Sequence, residues 1–156
     1  MLAGKALTIA LAAQTVQPTQ PVQPRFSLTI RAPKKAVTAG SEVDLTVVLT
    51  NISDQTLKIG ALTSFAGAAL LPLIDIRDGH GNAPLLTTYG QKHAKGGEIT
   101  SGVGYSVEPG KTLEEIIVLS KLYDLTPGQY SVQLHRPIGK TGSVVKSNVV
   151  RVNVVR

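Results

Sequence analysis

The chain has 156 residues, of which 42% are hydrophobic, only 4% aromatic and 17% charged, with a formal net charge of +6. The length allows one ordinary domain, and the composition excludes a disordered chain, a coiled coil and a collagen-like repeat. With no cysteine there is no disulfide, thiolate zinc site, cysteine nucleophile or lipidated N-terminal cysteine, and no apolar run approaches the roughly 18 residues of a transmembrane helix.

Met1 to Lys5 carries a positive charge, Ala6 to Ala13 is a short apolar run, and Ala10-Leu-Ala12 offers the small-x-small pattern of a cleavage site. Residues 1–13 therefore read as a signal peptide, which places the mature protein in the periplasm or outside the cell. The alternative is a strand or helical turn packed on the domain. Residues 14–24 follow, with Pro18, Pro21 and Pro24 at the three-residue period of polyproline II. This Pro/Gln-rich segment reads as a semi-rigid tether; the other use for it is a proline-motif ligand with Arg25 flanking Pro21-x-x-Pro24. An exported domain over 25–156 without disulfides relies on its core alone.

From Phe26 onward the pattern has period two, the mark of half-buried strands. Phe26, Leu28 and Ile30 alternate with Ser27, Thr29 and Arg31, and Val43, Leu45, Val47 and Leu49 with Asp44, Thr46 and Thr50. Asn51-Ile-Ser-Asp54 supplies turn residues before Leu57-Lys-Ile59. Ile74 and Ile76 form a short strand that Asp78-Gly-His-Gly-Asn82 closes with hairpin chemistry. The stretch 61–71 is undecided, and 89–101 reads as a long exposed loop. Thr112-Leu-Glu-Glu115 fits a helix capping box, but Ile116-Ile-Val-Leu119 is β-branched and follows a Pro-Gly turn. It reads as a buried strand leading into a helical turn over 120–124. Tyr130, Val132 and Leu134, then Val150, Val152 and Val154, complete the alternation.

Short strands, frequent turn signals and no convincing helix predict an all-β fold: an immunoglobulin-like antiparallel β-sandwich of Greek-key topology with about seven to nine strands. In such sandwiches a tyrosine opening the penultimate strand bonds its hydroxyl back to nearby backbone. Tyr130, after Leu125 and Pro127-Gly128, fits that structural corner; a plain core aromatic is the alternative.

Glu42-Val-Asp-Leu-Thr-Val-Val-Leu-Thr-Asn-Ile-Ser-Asp54, Ile74-Asp-Ile-Arg-Asp-Gly-His-Gly-Asn82, Val107-Glu-Pro-Gly-Lys111 and Thr126-Pro-Gly-Gln-Tyr-Ser-Val132 occur in that order. Over residues 26–155 this resembles the bacterial immunoglobulin-like sandwich domains of envelope proteins. It is also similar to the BsuPI-type proteinase inhibitor domain. The first resemblance implies a non-catalytic interaction or structural module; the second implies an inhibitor presenting a loop such as Thr87 to Gly102. The shared motifs are turn motifs, which specify architecture more than activity.

Fragments that suggest chemistry fail on physical grounds. Gly104 to Thr112 nearly spells a phosphate loop, but the required glycine falls at Tyr105 and Pro109 removes an amide. Ser143-Val-Val-Lys146 and Lys140-Thr-Gly142 match penicillin-interactive signatures, yet sit side by side ahead of a Val-rich strand instead of far apart. Gly104-x-Ser106-x-Glu108 lacks the closing glycine of a nucleophile elbow. His80, His93 and His135 lie in separate segments without metal-ligand spacing. Asp75, Asp78 and Asn82 match no calcium loop, and Asn51-Ile-Ser53, formally a glycosylation acceptor, is a turn former. The reading is not an enzyme, with no cofactor and no metal.

Charge is the remaining lead. Arg25, Arg31, Lys34 and Lys35 crowd the first strand, and after Asp124 there are only cations: Arg136, Lys140, Lys146, Arg151 and Arg156. Where first and last strands are neighbours, Arg25, Arg31, Lys34, Lys35, Lys146 and Arg151 would form one basic interaction stripe for a protein or an anionic envelope component. Edge protection against aggregation is the alternative. No nucleic-acid partner is expected, because stacking aromatics and recognition motifs are missing, and no transmembrane span; the absence of Trp also argues against sugar binding through aromatic platforms.

Overall fold

Alternation becomes strand structure along most of the chain in the computed structural model, which describes residues 23–60, 73–94, 104–138 and 143–156. The expected signal segment 1–13, nearly all of the tether, the undecided stretch 61–71, residues 95–101 and Lys140-Thr-Gly142 lie outside the described residues. The fold is all-β in class, and its sheets are mainly antiparallel.

One sheet runs in the order β1 (Phe26–Arg31), β3 (Asp44–Asn51), β7 (Thr112–Val118). A second runs β2 (Val37–Thr38), β10 (Val150–Val155), β8 (Gly128–Ile138), β5 (Ile74–Asp78), with β9 (Ser143–Lys146) also paired to β8. A small ribbon joins β4 (Leu57–Gly60) to β6 (Gly104–Val107). Among the described residues these make ten strands rather than seven to nine, because β2 is only two residues long and β9 and β10 share one partner. The chain leaves the first sheet after Arg31, where Pro33 has no amide to continue a ladder, and Val37–Thr38 then pairs in parallel with Val154–Val155.

Register puts the apolar residues of each strand on one side. Leu28 faces Leu49 and Ile30 faces Val47 in the first sheet; Ile76 faces Val132 and Val152 faces Tyr130 in the second. These inner residues belong to a single buried cluster that also takes in Leu119, Leu122 and Leu125. A one-residue slip would turn every one of them to water, so burial fixes the register. Each fully buried aliphatic side chain contributes roughly 1.5–3 kcal/mol.

The expected strand over 112–119 forms as β7, but it is not buried throughout. Ile116 is 57% exposed because it alternates with Glu115 and Ile117, and among the described residues β7 is an edge strand with β3 on one side only. Glu115 shares the inward side with Ile117. Across the gap Arg136 on β8 lies on the inward side of its own strand and feels the Glu115 charge; burial lowers its pKa while Glu115 opposes that shift.

One helix departs from the sequence reading: Thr88–Ala94 forms α1 where a loop is expected. The helical turn expected over 120–124 is present slightly earlier, as the single turn α2 (Leu119–Leu122) directly after β7. The Thr87 hydroxyl accepts from Gly90 N at 2.9 Å, an N-terminal cap written as Thr87-x-x-Gly90. Gly90 lies against α2 so closely that a Cβ would sit 2.1 Å from the Leu122 carbonyl oxygen. The 78–82 segment is a tight turn, with Gly81 at φ +84, but it joins no hairpin: β5 pairs with the distant β8.

Asn51 is fully buried at the end of β3. Its Nδ2 donates to the carbonyls of Gln55 and Val107, each at 2.8 Å, and its Oδ1 accepts from Ser53 N at 2.9 Å and Ser53 Oγ at 2.8 Å. Its backbone accepts from Gly110 N and donates to the Lys111 carbonyl. One side chain thus ties β3, its following turn and β6 together, while its backbone holds the Pro109-Gly110 turn. Such an amide is not open to glycosylation in the folded protein.

Removing it leaves buried acceptors without donors. Asn51→Ala is expected to lower the unfolding free energy by on the order of 2–3 kcal/mol, read from denaturant midpoints at unchanged m-value. Gly90→Ala is expected to cost about 1–3 kcal/mol by overpacking, and a neutral result there would show that α1 does not press on α2.

Candidate interaction surface

The second sheet turns one side to the core and the other to solvent. On the solvent side β10 presents Arg151 and Asn153, β8 presents Gln129, Ser131, Gln133 and His135, β5 presents Asp75 and Arg77, and β9 presents Val144 and Lys146. Register arranges them in rows: Arg151–Ser131–Arg77 across three strands, Asn153–Gln129 beside it, and Lys146–His135 further along. At a strand spacing of about 4.8 Å, the ends of the Arg151–Arg77 row stand roughly 10 Å apart.

That arrangement depends on a bulge. From Lys146 opposite His135 to Val150 opposite Val132, the β9–β10 strand advances four residues while β8 advances three. The extra residue reverses the in-out alternation, so Lys146 and Arg151 share a face despite an odd separation. Ser147 fills the interruption from inside: Leu134 N donates to its Oγ at 2.9 Å, and that hydroxyl donates to the Asn148 carbonyl at 2.7 Å. Asn148 reaches sideways to β1, accepting from Ile30 N at 2.8 Å and donating to Ile30 O at 3.0 Å. Its amide replaces a strand on the free edge of β1.

Polar groups on the face differ in availability. Asp75 Oδ1 holds Arg77 Nε at 2.7 Å. Gln133 donates to the Ser147 carbonyl at 2.8 Å and its other end lies 3.1 Å from His135 Nε2. Among the described residues no side-chain hydrogen bond or ion pair engages Arg151, Lys146, Gln129, Ser131 or Asn153. The face carries Arg77, Lys146 and Arg151 against the carboxylate of Asp75. The solvent face of the first sheet instead carries Asp44 and Glu114 against Arg31.

The six cations of the expected stripe are divided by this geometry. Lys146 and Arg151 lie on the second sheet's face, joined by Arg77, which the sequence reading omits. Arg31 lies on the first sheet, 2.7 Å from Glu114, a half-exposed pair of little energetic weight. Arg25 precedes β1 and donates to Gln55 Oε1 at 3.2 Å. Lys34 and Lys35 are exposed where the chain passes between sheets. Arg136 faces inward. The hint available in sequence was the parity break between Val145 and Val150, with Ser147-Asn148 between them.

Other predicted residues find structural duties. The Tyr130 hydroxyl, on a 4% exposed residue, donates to the Thr126 carbonyl at 2.8 Å. Asp78 Oδ1 accepts from His80 N and Asn82 N, each at 2.8 Å; the Asn82 amide is the main reason its carboxyl titrates below the ordinary value. His80 is exposed, and the side chain of His93 lies outside the described residues. In the 104–112 segment Gly110 takes φ +72, and its amide is bonded to Asn51.

A cavity of about 170 Å³ lies among Thr38, Ser41, Glu42, Ser120, Tyr123 and Asp124. The Ser120 hydroxyl accepts from Val43 N at 3.1 Å, and Lys121 reaches Glu42 at 3.7 Å. Burial pushes the Tyr123 phenol up to about 12, with the charge of Asp75 adding to the effect. Searched against protein-family models and curated proteins, the chain matches none.

The Tyr123 shift has a defined sign. The folded state keeps the phenol neutral while an unfolded chain ionises it near the ordinary tyrosine value of 10.0. Its contribution to stability is therefore complete below about pH 10 and is lost as pH rises to about 12. Denaturant midpoints should fall across that window, and Tyr123→Phe should flatten the fall while leaving stability at neutral pH nearly unchanged.

Proposed function

We propose that this chain is an exported, non-catalytic interaction or structural module of the bacterial envelope, folded as an immunoglobulin-like Greek-key sandwich. The reading of the fold is supported by the parallel pairing of β2 with β10 after the chain leaves the β1–β3–β7 sheet, and by the hydroxyl of Tyr130 bonded to the Thr126 carbonyl. The reading of export rests on the charge, apolar run and small residues of Met1 to Ala13, followed by the proline-spaced tether. The tether would hold the domain away from its attachment or its neighbours.

One observation carries the functional reading. Cations and unengaged hydrogen-bonding side chains gather on one open, solvent-facing sheet surface, whereas the buried polar side chains Asn51 and Ser147 are satisfied within the fold. An open face of this kind recognises a partner by complementary charge and shape. The inhibitor alternative relies on an exposed loop from Thr87 to Gly102, and Thr88–Ala94 in that span is helical and seated on α2.

Fractionation of cells expressing the full chain is expected to recover it outside the cytoplasm and shortened near Ala13. Cytoplasmic recovery of the intact chain would refute export. Purified protein is expected to leave a panel of serine, cysteine and metalloproteases uninhibited; nanomolar inhibition abolished by replacing residues 87–102 would replace this reading with the inhibitor one.

A further inference from the structure

We propose that the solvent face of the β2–β10–β8–β5 sheet binds an acidic polysaccharide, with the Arg151–Ser131–Arg77 and Asn153–Gln129 rows as its centre. This rests on the interaction-module reading and names the chemistry of the partner. The argument starts from charge. The face has Arg77, Lys146 and Arg151 against one carboxylate, Asp75, which also fixes the Arg77 guanidinium through Nε. The opposite sheet carries the reverse balance, so an anionic ligand is drawn to one side of the molecule.

The neutral residues narrow the ligand class. Gln129, Ser131 and Asn153 lie within and beside the cationic row and have no side-chain hydrogen bond among the described residues. Amide and hydroxyl groups both donate and accept. A phosphate or sulfate group accepts only, so it leaves the carbonyl oxygens of Gln129 and Asn153 without a partner. Sugar hydroxyls use both halves of an amide. Carboxylates on the same chain match the guanidinium fork, as phosphates also do, so the hydroxyls beside them carry the discrimination. A chain that alternates hydroxyls and carboxylates satisfies both rows at once. The arginines at the ends of the row are about 10 Å apart by strand spacing, the span of two linked pyranose rings.

The same face argues against other anionic partners. Arg151, Lys146 and Arg77 are interleaved with short polar side chains, Val144 and Val155, with no Trp, Phe or Tyr on the solvent side of these strands. Nucleobases need stacking partners, and shallow insertion into a bilayer relies on Trp, Phe or Leu. An open, largely polar, cationic sheet face suits an extended hydrophilic chain lying across the strands.

The experiment titrates the full chain with a polygalacturonate oligomer, with neutral dextran, with polyphosphate of matched charge, and with phosphatidylglycerol vesicles. The polyuronate is expected to bind and dextran not, with affinity falling as salt rises. Arg151→Gln and Lys146→Gln are each expected to weaken binding about threefold to fivefold, the size of an exposed ion pair. Arg31→Gln, on the other sheet, should leave it unchanged. Gln129→Ala with Asn153→Ala should weaken polyuronate binding while leaving polyphosphate binding as it was. Equal or tighter binding of polyphosphate, insensitive to that pair, would overturn the proposal in favour of generic charge attraction. Preference for vesicles would overturn it in favour of a lipid surface. Failure of all four probes overturns the polysaccharide inference alone, because the module reading falls only with the fractionation and protease results.

Discussion

Asn148 closes the edge of β1 with two hydrogen bonds to Ile30, and it reaches that edge because the strand carrying it holds one residue more than the strand it faces. These are one constraint seen from two sides. An extra residue in an antiparallel pair leaves a backbone unit unpaired and bends the strand. Here the unpaired unit is stabilised by the Ser147 hydroxyl, and the neighbouring amide is aimed across to the other sheet. The link joins the two sheets without adding a strand. It also sets the parity of everything that follows, so that Val152 and Val154 enter the core while Arg151 and Asn153 face water. Without the extra residue, a continuous strand carrying Lys146 outward would turn Val150, Val152 and Val154 outward as well.

A second asparagine does comparable work at the other end of β3. Asn51 replaces backbone partners for Val107 and Gln55 where the β4–β6 ribbon begins. Both residues follow the same physical rule: a buried carbonyl or amide must be met, and where the ladder cannot meet it, a side-chain amide with the same donor and acceptor can. Aliphatic burial supplies most of the favourable free energy of such a core, but it is non-directional. The two amides make one alignment of the sheets much better than its neighbours.

Much of this architecture could be read from residue types. Phe26-Leu28-Ile30 and Tyr130-Val132-Leu134 announce their buried sides by period two, and Pro33, Pro109 and Pro127 mark where ladders stop. What escaped reading was long-range or depended on a single inserted residue. Val150, Val152 and Val154 show their inward side clearly, yet nothing in their spacing reveals that Lys146 joins Arg151 on the outward one. Arg77 looks like the end of a short strand until β8 is known to lie between it and Arg151. Arg136 reads as one more surface cation because alternation assigns a side to a residue without naming what occupies the gap. In the structure that gap holds the influence of Glu115 from the facing sheet. Thr88 to Ala94 has neither an apolar stripe nor an acidic first turn, so its helix follows from the Thr87 cap and the fit of Gly90 against Leu122, neither of which periodicity detects.

The placement of charge also bears on where a partner can approach. Among the described residues β7 has one strand neighbour, and an open edge in a β-rich protein invites pairing with other chains. It is guarded in a recognisable way. Glu115 points into the gap between sheets, where a partner strand that flattened or shifted β7 would have to disturb a carboxylate coupled to the half-buried Arg136. Glu114 on the outer side is already paired with Arg31. An incoming strand would meet acidic groups on both sides of β7, one of them within electrostatic reach of Arg136. The face of the other sheet has no such guard. Its cations stand over a ladder that is already complete, so a ligand there need compete with no backbone hydrogen bond and disturb no buried charge. Physical cost would therefore favour any association at the face over one at the edge, because the unengaged Lys146 and Arg151 share that face through the bulge at 147–149.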